Sequence, residues 1–345
     1  MTLVNVRVVP IYSGSLAELA DGRNNCKIVS KSKDPTDNGD FVSPDYGVPF
    51  ESYLNLYHGM KVDPSKIIHY QQMNPEQQAT YREFLKRVRK HDFEADGVDT
   101  SGTLQPFVQP DDMTCLRFLQ ADKYNADMAL DRLVKSLKWS HEFQLARVIS
   151  NPPPKLQTYR QIRVRGYMGR TRDGMPIFCE RLGGMMNGIQ SKEGRAFKEE
   201  DWLHCFIYDL GVIMKEFRQS YIENSGVYSP SKHPITWKAM WIIDAGGMNP
   251  FKAMKSTHTL KILDALTEPN FPEIAGPVVL INVHPIVMGV WRIVRSFLDP
   301  VTVEKITLDS GVPTEFLRKK IPEHVIFEEF GGTNKSKSFP QSIYV

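Results

Sequence analysis

Residues 238–283 read KAMWIIDAGGMNPFKAMKSTHTLKILDALTEPNFPEIAGPVVLINV. KAMWIID, 238–244, and PVVLINV, 277–283, are short apolar runs that read as buried strands. Residues 254–267 between them read as a helix. A strand, a helix and a second strand in that order imply a parallel βαβ unit, because parallel strands need a crossover. This segment makes the chain α/β.

Downstream, a helix is predicted over 285–298, another over about 314–320, and a last edge strand in HVIFEEF, 324–330. The tail from Gly331, with Lys335 and Lys337, is expected to be mobile. Upstream, residues 201–218 read as a helix with Leu203, Phe206, Ile207, Leu210, Ile213, Met214 and Phe217 on one broad face. YMGRTRDGMPIFCERLG, 167–183, holds Asp173-Gly174 between two extended segments, a hairpin signal. Asn151-Pro152-Pro153-Pro154 marks a boundary, and the pattern before it is helical. NPEQQATYREFLKRVRKH starts at Asn74 with Pro75 in its first turn and Tyr81, Phe84, Leu85 and Val88 at helical spacing. After a linker, 95–110, comes a short helix ending near Lys123, and then a helix over 126–143 that Asn125 can cap. Its predicted apolar face is Met128, Leu130, Leu133, Val134, Leu137 and Phe143. The chain therefore divides into an extension, 1–70, a helical unit, 71–150, an α/β part, 151–333, and a tail, 334–345.

The composition of the 345 residues is ordinary for a globular chain, with 41% hydrophobic and 24% charged residues. A net charge of +3 does not mark a dedicated nucleic-acid binder. Cys26, Cys115, Cys179 and Cys205 form no CxxC pair and read as reduced, buried thiols. The first residues, MTLVNVRVVPIYSGS, do not read as a signal peptide. The apolar window 276–294 contains Asn282, His284, Pro285 and Arg292, which argues against a membrane span. A cytoplasmic protein with transient membrane contact is expected.

Enzyme signatures are missing from the sequence: no GxSxG elbow, Walker A loop or GxGxxG fingerprint. Gly183-Gly184 and Gly246-Gly247 read as turns after strands, His284 as a capping or turn residue, and Asp244 as a strand-end residue with a structural role at least as well supported as a catalytic one. No catalytic residue, metal site or cofactor is assigned.

The helix over 285–298 is anomalous. Ile286, Val287, Met288, Val290, Trp291, Ile293, Val294, Phe297 and Leu298 surround almost its whole circumference. Such a helix is either buried on both sides or meets apolar material other than its own protein. The second reading is a mobile lid over an oily cavity that also touches a bilayer, with Arg292 and Arg295 reaching phosphates.

Several segments together carry a resemblance. CLRFLQADKY, 115–124, resembles the "LLRFLRARKF" signature of CRAL-TRIO proteins, and Arg172–Phe178 resembles their "DGRPVYF" segment. Trp241–Asp244 resembles "IxD", Phe271-Pro272-Glu273 matches "YPE", and Phe297–Ile306 resembles "FLDPVTxxKI". Phe330-Gly331-Gly332 matches the closing "FGG". The ordered set, from about 71 to 333, is similar to the secretory-pathway phosphatidylinositol transfer branch of that family.

The resemblance implies a helical unit beside an α/β lipid-binding domain with a mainly parallel sheet, and a gate at the 285–298 helix. It implies a bound lipid in an apolar cavity lined by Trp241, Val278 and Leu280, with Met288, Trp291, Val294 and Phe297 on the gate. It places the headgroup, with phosphatidylinositol the leading ligand, at Glu273, Thr302, Lys305 and Lys123. A lysine suits a phosphodiester, a hydroxyl adds a donor, and a carboxylate accepts from inositol hydroxyls. Thr302 has a second reading as a cap and Glu273 as a structural partner of Lys305.

Two positions depart from the pattern. Asp122 stands where the family has a cation, and Ala239 and Trp241 stand where this branch has small hydroxyl residues that hold phosphatidylcholine. A sterol or isoprenoid is thus a further candidate. Arg160, Arg163, Arg165, Arg170 and Arg172 read either as a basic patch toward anionic lipid or as a solvated face. The alternative function is a lipid- or isoprenoid-sensing module that docks a protein partner through residues 1–70.

Overall fold

A computed structural model describes residues 68–98, 112–224, 236–295 and 300–335, all within one compact unit. The extension through residue 67, Cys26, Phe297 and the tail past Lys335 lie outside the described residues, as do the side chains of Val294 and Thr302.

The helical part comprises α1 (Ile68–Gln71), α2 (Pro75–Lys90), α3 (Asp112–Ala121), α4 (Ala126–Glu142), α5 (Leu145–Ser150) and α6 (Leu156–Ile162). Asn74 closes a capping box on α2: its side chain accepts from the Gln77 amide at 2.8 Å, and the Gln77 side chain accepts from the Asn74 amide at 3.0 Å. Asn125 caps α4 as predicted, accepting from the Asp127 and Met128 amides at 3.1 Å each. The buried residues of α2 are the predicted Tyr81, Phe84, Leu85 and Val88.

On α4 one expectation fails. Met128 is 56% exposed, while Ala129, Leu130, Leu133, Val134 and Leu137 are buried. At about 100° per residue Met128 falls opposite the centre of that face, and Ala129 occupies the core position instead.

The α/β part follows as β1 (Arg165–Arg170), β2 (Pro176–Arg181), α7 (Leu182–Ile189), α8 (Lys192–Arg195), α9 (Glu199–Asn224), β3 (Ala239–Asp244), α10 (Pro250–Asn270), β4 (Ala275–Ile281), α11 (Pro285–Val294), α12 (Pro300–Lys305), β5 (Ile306–Leu308) and α13 (Thr314–Lys320). The sheet order is β1-β2-β3-β4-β5. β1 and β2 form the predicted antiparallel hairpin, with Gly174 at φ 86° in its turn, and the three later pairings are parallel. One hydrophobic core joins the helical part to α9 and α10.

The edge strand differs from the sequence expectation. Residues 324–330 are not a strand: they form a turn, an isolated bridge between Phe327 and Asn334, and a 3-10 turn over Glu328–Phe330. Ile326, Phe327 and Phe330 are the buried residues there, a spacing that lacks the alternation a strand requires. The edge is β5, whose Ile306 and Leu308 pair with Val278 and Leu280. The start of the expected mobile tail is held in place: the Asn334 amide donates to Ile326 O at 3.0 Å, and the Glu328 amide donates to Asn334 O at 3.2 Å.

The two faces of the sheet are packed unequally. On one face Ile177, Cys179, Met240, Ile242, Val279 and Ile281 are fully buried against Leu317, Ile321, Ile326 and Phe330. On the other, parallel register aligns Phe178, Trp241, Val278 and Ile306 in one row and Glu180, Ile243, Leu280 and Leu308 in the next. In these rows Trp241, Ile243, Val278, Leu280, Ile306 and Leu308 are only half-buried.

Gly183 and Gly246 explain the two glycine pairs. A Cβ on Gly183 would fall on the Gly246 carbonyl, so α7 approaches the turn after β3 more closely than any other residue allows. Cys115, Cys179 and Cys205 are buried. Burial pushes the Cys179 and Cys205 thiols up, Cys205 to about 12, which keeps them protonated.

Candidate lipid site

The charged end of the site is made by the sheet topology. Lys238 immediately precedes β3, Glu273 lies two residues before β4, and Lys305 immediately precedes β5. Three adjacent parallel strands thus bring three distant residues to one edge. Lys238 Nζ donates to Glu273 Oε2 at 2.6 Å, and Lys305 Nζ is 3.5 Å from the same oxygen. The three side chains are 15%, 22% and 29% exposed in the order Lys238, Glu273, Lys305, so the cluster is open to a ligand without being fully hydrated.

Burial pushes the Glu273 carboxyl up, but the Lys238 ammonium, and Lys305 after it, hold it below the usual carboxylate range. Glu273 sits in left-handed backbone at φ 60°, which terminates the Phe271-Pro272 turn and aims the chain into β4. The buried Arg117 Nε donates to Pro272 O at 3.1 Å, so the signature helix α3 holds this turn from behind.

His69 packs against Trp237 with ring centroids 4.5 Å apart, and its Nε2 is 3.3 Å from Thr236 Oγ1. Burial, and then the Lys238 charge, push His69 down to about 4, so it is neutral at physiological pH.

The sequence-assigned residues are only partly brought together. Glu273 and Lys305 meet. Lys123 is exposed, in a left-handed turn (φ 52°) after α3, next to Tyr124. Thr302 lies on α12, which ends at Lys305. Lys238, the closer cation on Glu273, was not identified from sequence: no motif marks it, and only its position before β3 could have suggested it. Asp122 accepts from Arg132 Nη2 at 3.0 Å, and Arg132 Nη1 bridges on to Glu268 at 3.1 Å. Burial pushes the Asp122 carboxyl up against the pull of Arg132. This departure from the family pattern ties α3, α4 and α10 together.

Trp241, Val278 and Leu280 share the half-buried face. Phe178 stacks on Trp241 with centroids 5.3 Å apart, and Tyr167 lies 5.7 Å from Phe178. His284 immediately precedes α11, and its Nδ1 accepts from the Ile286 amide at 3.2 Å. Met288 and Trp291 on it are half-buried, while Ile286 is 62% exposed. Asp244 is structural: it accepts from Arg181, from the Gly246 amide and from Asn282, each at 2.9 Å.

The five arginines do not form one surface patch: Arg163 and Arg165 are buried, and Arg172 is exposed. Arg163 and Arg165 are buried on Glu180, Arg160 lies against Asp209, and Arg170 and Arg172 donate to the backbone carbonyls of Gly174 and Arg318. Among the described residues no helix is long and apolar enough to cross a membrane.

Residues 163–332 match the family model for the CRAL/TRIO domain. The chain is close to Sec14-like proteins. It is 24% identical over 245 residues to the SEC14 cytosolic factor of Candida glabrata, covering 68% of this chain and 75% of that one. It is 24% identical over 224 residues to the Sec14 cytosolic factor of Schizosaccharomyces pombe, covering 64% and 74%. It is 26% identical over 224 residues to the phosphatidylinositol/phosphatidylcholine transfer protein SFH9 of Arabidopsis thaliana, covering 64% and 37%. The solved structure described as "Crystal structure of Sfh5" is similar at a TM-score of 0.51 and 12% identity, covering 77% of this chain and 90% of that one, a likeness of fold alone.

Proposed function

We propose that this chain binds one lipid and transfers it between membranes, with phosphatidylinositol the leading ligand. The acyl chains lie against Trp241, Val278 and Leu280, and the phosphate sits at the edge formed by Lys238, Glu273 and Lys305. The observation that carries this reading is the pair of ammonium groups on one carboxylate, at the rim of an apolar sheet face that is only half-buried.

One carboxylate offsets one ammonium, and a neutral His69 adds no charge, so one positive charge remains for a phosphodiester. Both lysines use Glu273 Oε2, which leaves Oε1 to accept from an inositol hydroxyl. Thr302 and Lys123 complete the headgroup set. Phosphatidylcholine is disfavoured, because Ala239 and Trp241 offer no hydroxyl and the surplus positive charge opposes choline.

Transfer needs enclosure, since each acyl CH₂ removed from water contributes about 0.8 kcal/mol. The helix α11, with Met288 and Trp291, is the cover that opens at a bilayer. The protein then works from the aqueous side of a membrane it touches transiently, and its chemistry requires no reactive residue. The Arabidopsis relative is named a phosphatidylinositol/phosphatidylcholine transfer protein, which supports phosphatidylinositol as one candidate cargo.

The test is vesicle-to-vesicle transfer by the parent and by Lys305→Ala. A selective loss of phosphatidylinositol transfer is expected, and equal transfer by both proteins overturns the headgroup assignment.

A further inference from the structure

The half-buried sheet face is not wholly apolar. At its β1–β2 end two guanidinium groups share one carboxylate. Arg163 donates to Glu180 at 2.8 and 3.2 Å, and Arg165 donates to Glu180 Oε2 through Nε at 3.2 Å and Nη2 at 2.8 Å. The three residues are 8%, 4% and 5% exposed in the order Arg163, Arg165, Glu180. Arg163 uses its remaining nitrogen on the Tyr159 hydroxyl at 3.0 Å. Arg165 Nη1 makes no hydrogen bond among the described residues, and the Arg165 guanidinium lies 5.1 Å from the Trp241 ring centroid.

Among the described residues, two buried guanidinium groups thus close on the one carboxylate of Glu180, an excess of one positive charge in this cluster. An uncompensated buried charge is costly, and an anionic ligand group is the partner that relieves it. Register places this surplus on the lipid-facing side: Arg165 pairs with Glu180, Glu180 with Ile243, and Ile243 with Leu280.

We propose that Arg165 is an oxyanion subsite in the wall of the lipid chamber, taking the carboxylate or phosphate of an amphiphile whose chain lies along Trp241 and Val278. This rests on the reading of that face as lipid-facing. It is distinct from the strand-edge site, because Ile243 is five residues beyond Lys238, roughly 16 Å along an extended strand. A lipid with a single anionic group uses one position or the other, so the chamber accepts two classes of anionic cargo in different registers.

The experiment measures binding to the full chain, stripped of lipid, of two matched pairs: oleate against oleyl alcohol, and dioleoylphosphatidic acid against dioleoylglycerol. The parent is expected to prefer the anionic member of at least one pair about tenfold. Arg165→Gln, which keeps hydrogen bonds to Glu180 but removes the surplus charge, is expected to abolish that preference. The double variant Lys238→Gln/Lys305→Gln is expected to keep it. Dependence on Arg165 in the oleate pair alone identifies a free acid as the occupant; dependence in the phosphatidic acid pair identifies a phospholipid phosphate.

A second readout needs no change at Arg165. Carboxyl-labelled oleate bound to the lysine double variant is titrated by ¹³C NMR, and its carboxyl is expected to stay ionised below the range of the free acid. No anionic preference in either pair overturns the subsite, as does a preference that survives Arg165→Gln but falls in the lysine variant, or an unshifted oleate titration. Loss of phosphatidylinositol transfer in the lysine variant with the oleate preference intact supports both sites, whereas transfer at the parent's rate in that variant with the preference intact leaves the inner subsite standing alone. Intact phosphatidylinositol transfer with no anionic preference removes only the inner subsite.

Discussion

Lys238 Nζ lies 2.6 Å from Glu273 Oε2, and that ion pair links the starts of β3 and β4 at the edge of the half-buried sheet face. Neither residue is fully exposed, so the pair is screened less than a surface salt bridge and its charge is felt by a neighbouring ligand.

Lys238→Ala is therefore expected to lower phosphatidylinositol transfer about tenfold, as much as Lys305→Ala does, while leaving the folded state intact. Transfer between labelled and unlabelled vesicles measures it. If Lys238→Ala transfers phosphatidylinositol at the parent's rate while Lys305→Ala does not, Lys238 only orients Glu273.

His69 predicts a window of acid sensitivity. Its ordinary value of 6.5 is pushed down to about 4 in the folded chain by burial and then by Lys238. The unfolded chain takes up the proton first. Stability is thus complete above pH 6.5 and falls as pH drops toward 4, by on the order of 3 kcal/mol. Denaturant unfolding across that range is expected to show the slope in the parent and a flatter curve in His69→Gln. An unchanged slope assigns the acid sensitivity to another group.

Glu180 acts in a lower window. Burial alone pushes its carboxyl up, but Arg163 and Arg165 hold it at about 2, below its ordinary 4.5. Its contribution is present above pH 4.5 and is lost as pH falls toward 2. Glu180→Gln leaves two buried guanidinium groups without their counter-charge, a change expected to destabilise by roughly 3–5 kcal/mol. Thermal unfolding at pH 7 checks this; a shift of a degree or less means the arginines are hydrated.

Gly183→Ala drives a methyl into the Gly246 carbonyl, where no flexible side chain can yield. A loss of about 2–3 kcal/mol is expected. Gly184→Ala is the control, because its Cβ meets only Arg181 Cβ at 3.9 Å and it lies in the same helix. Equal stability of the two variants would mean that α7 shifts freely.

Much of the architecture was legible because its signals are local. Asn74 and Asn125 start α2 and α4 through their own side chains, and the apolar runs of β3 and β4 bracket a crossover helix. Family motifs named Glu273 and Lys305 as headgroup residues, and their pairing stood as the structural alternative. The strand assigned to 324–330 failed because three buried apolar residues with exposed Glu328 and Glu329 between them fit a compact turn as readily as an edge. The arginines of 160–172 looked like a basic surface because charge counted along a chain carries no burial.

By itself, then, the sequence determined most of the helices and the buried strands β3 and β4, and with them the α/β class. Only the tertiary structure decided that Lys238 is the nearer cation on Glu273 and that Arg163 and Arg165 close on Glu180. Both results depend on which strands lie side by side, β3 against β4 and β1 against β2. Strand neighbours are fixed by packing between residues far apart in the chain, and no local pattern encodes that distance.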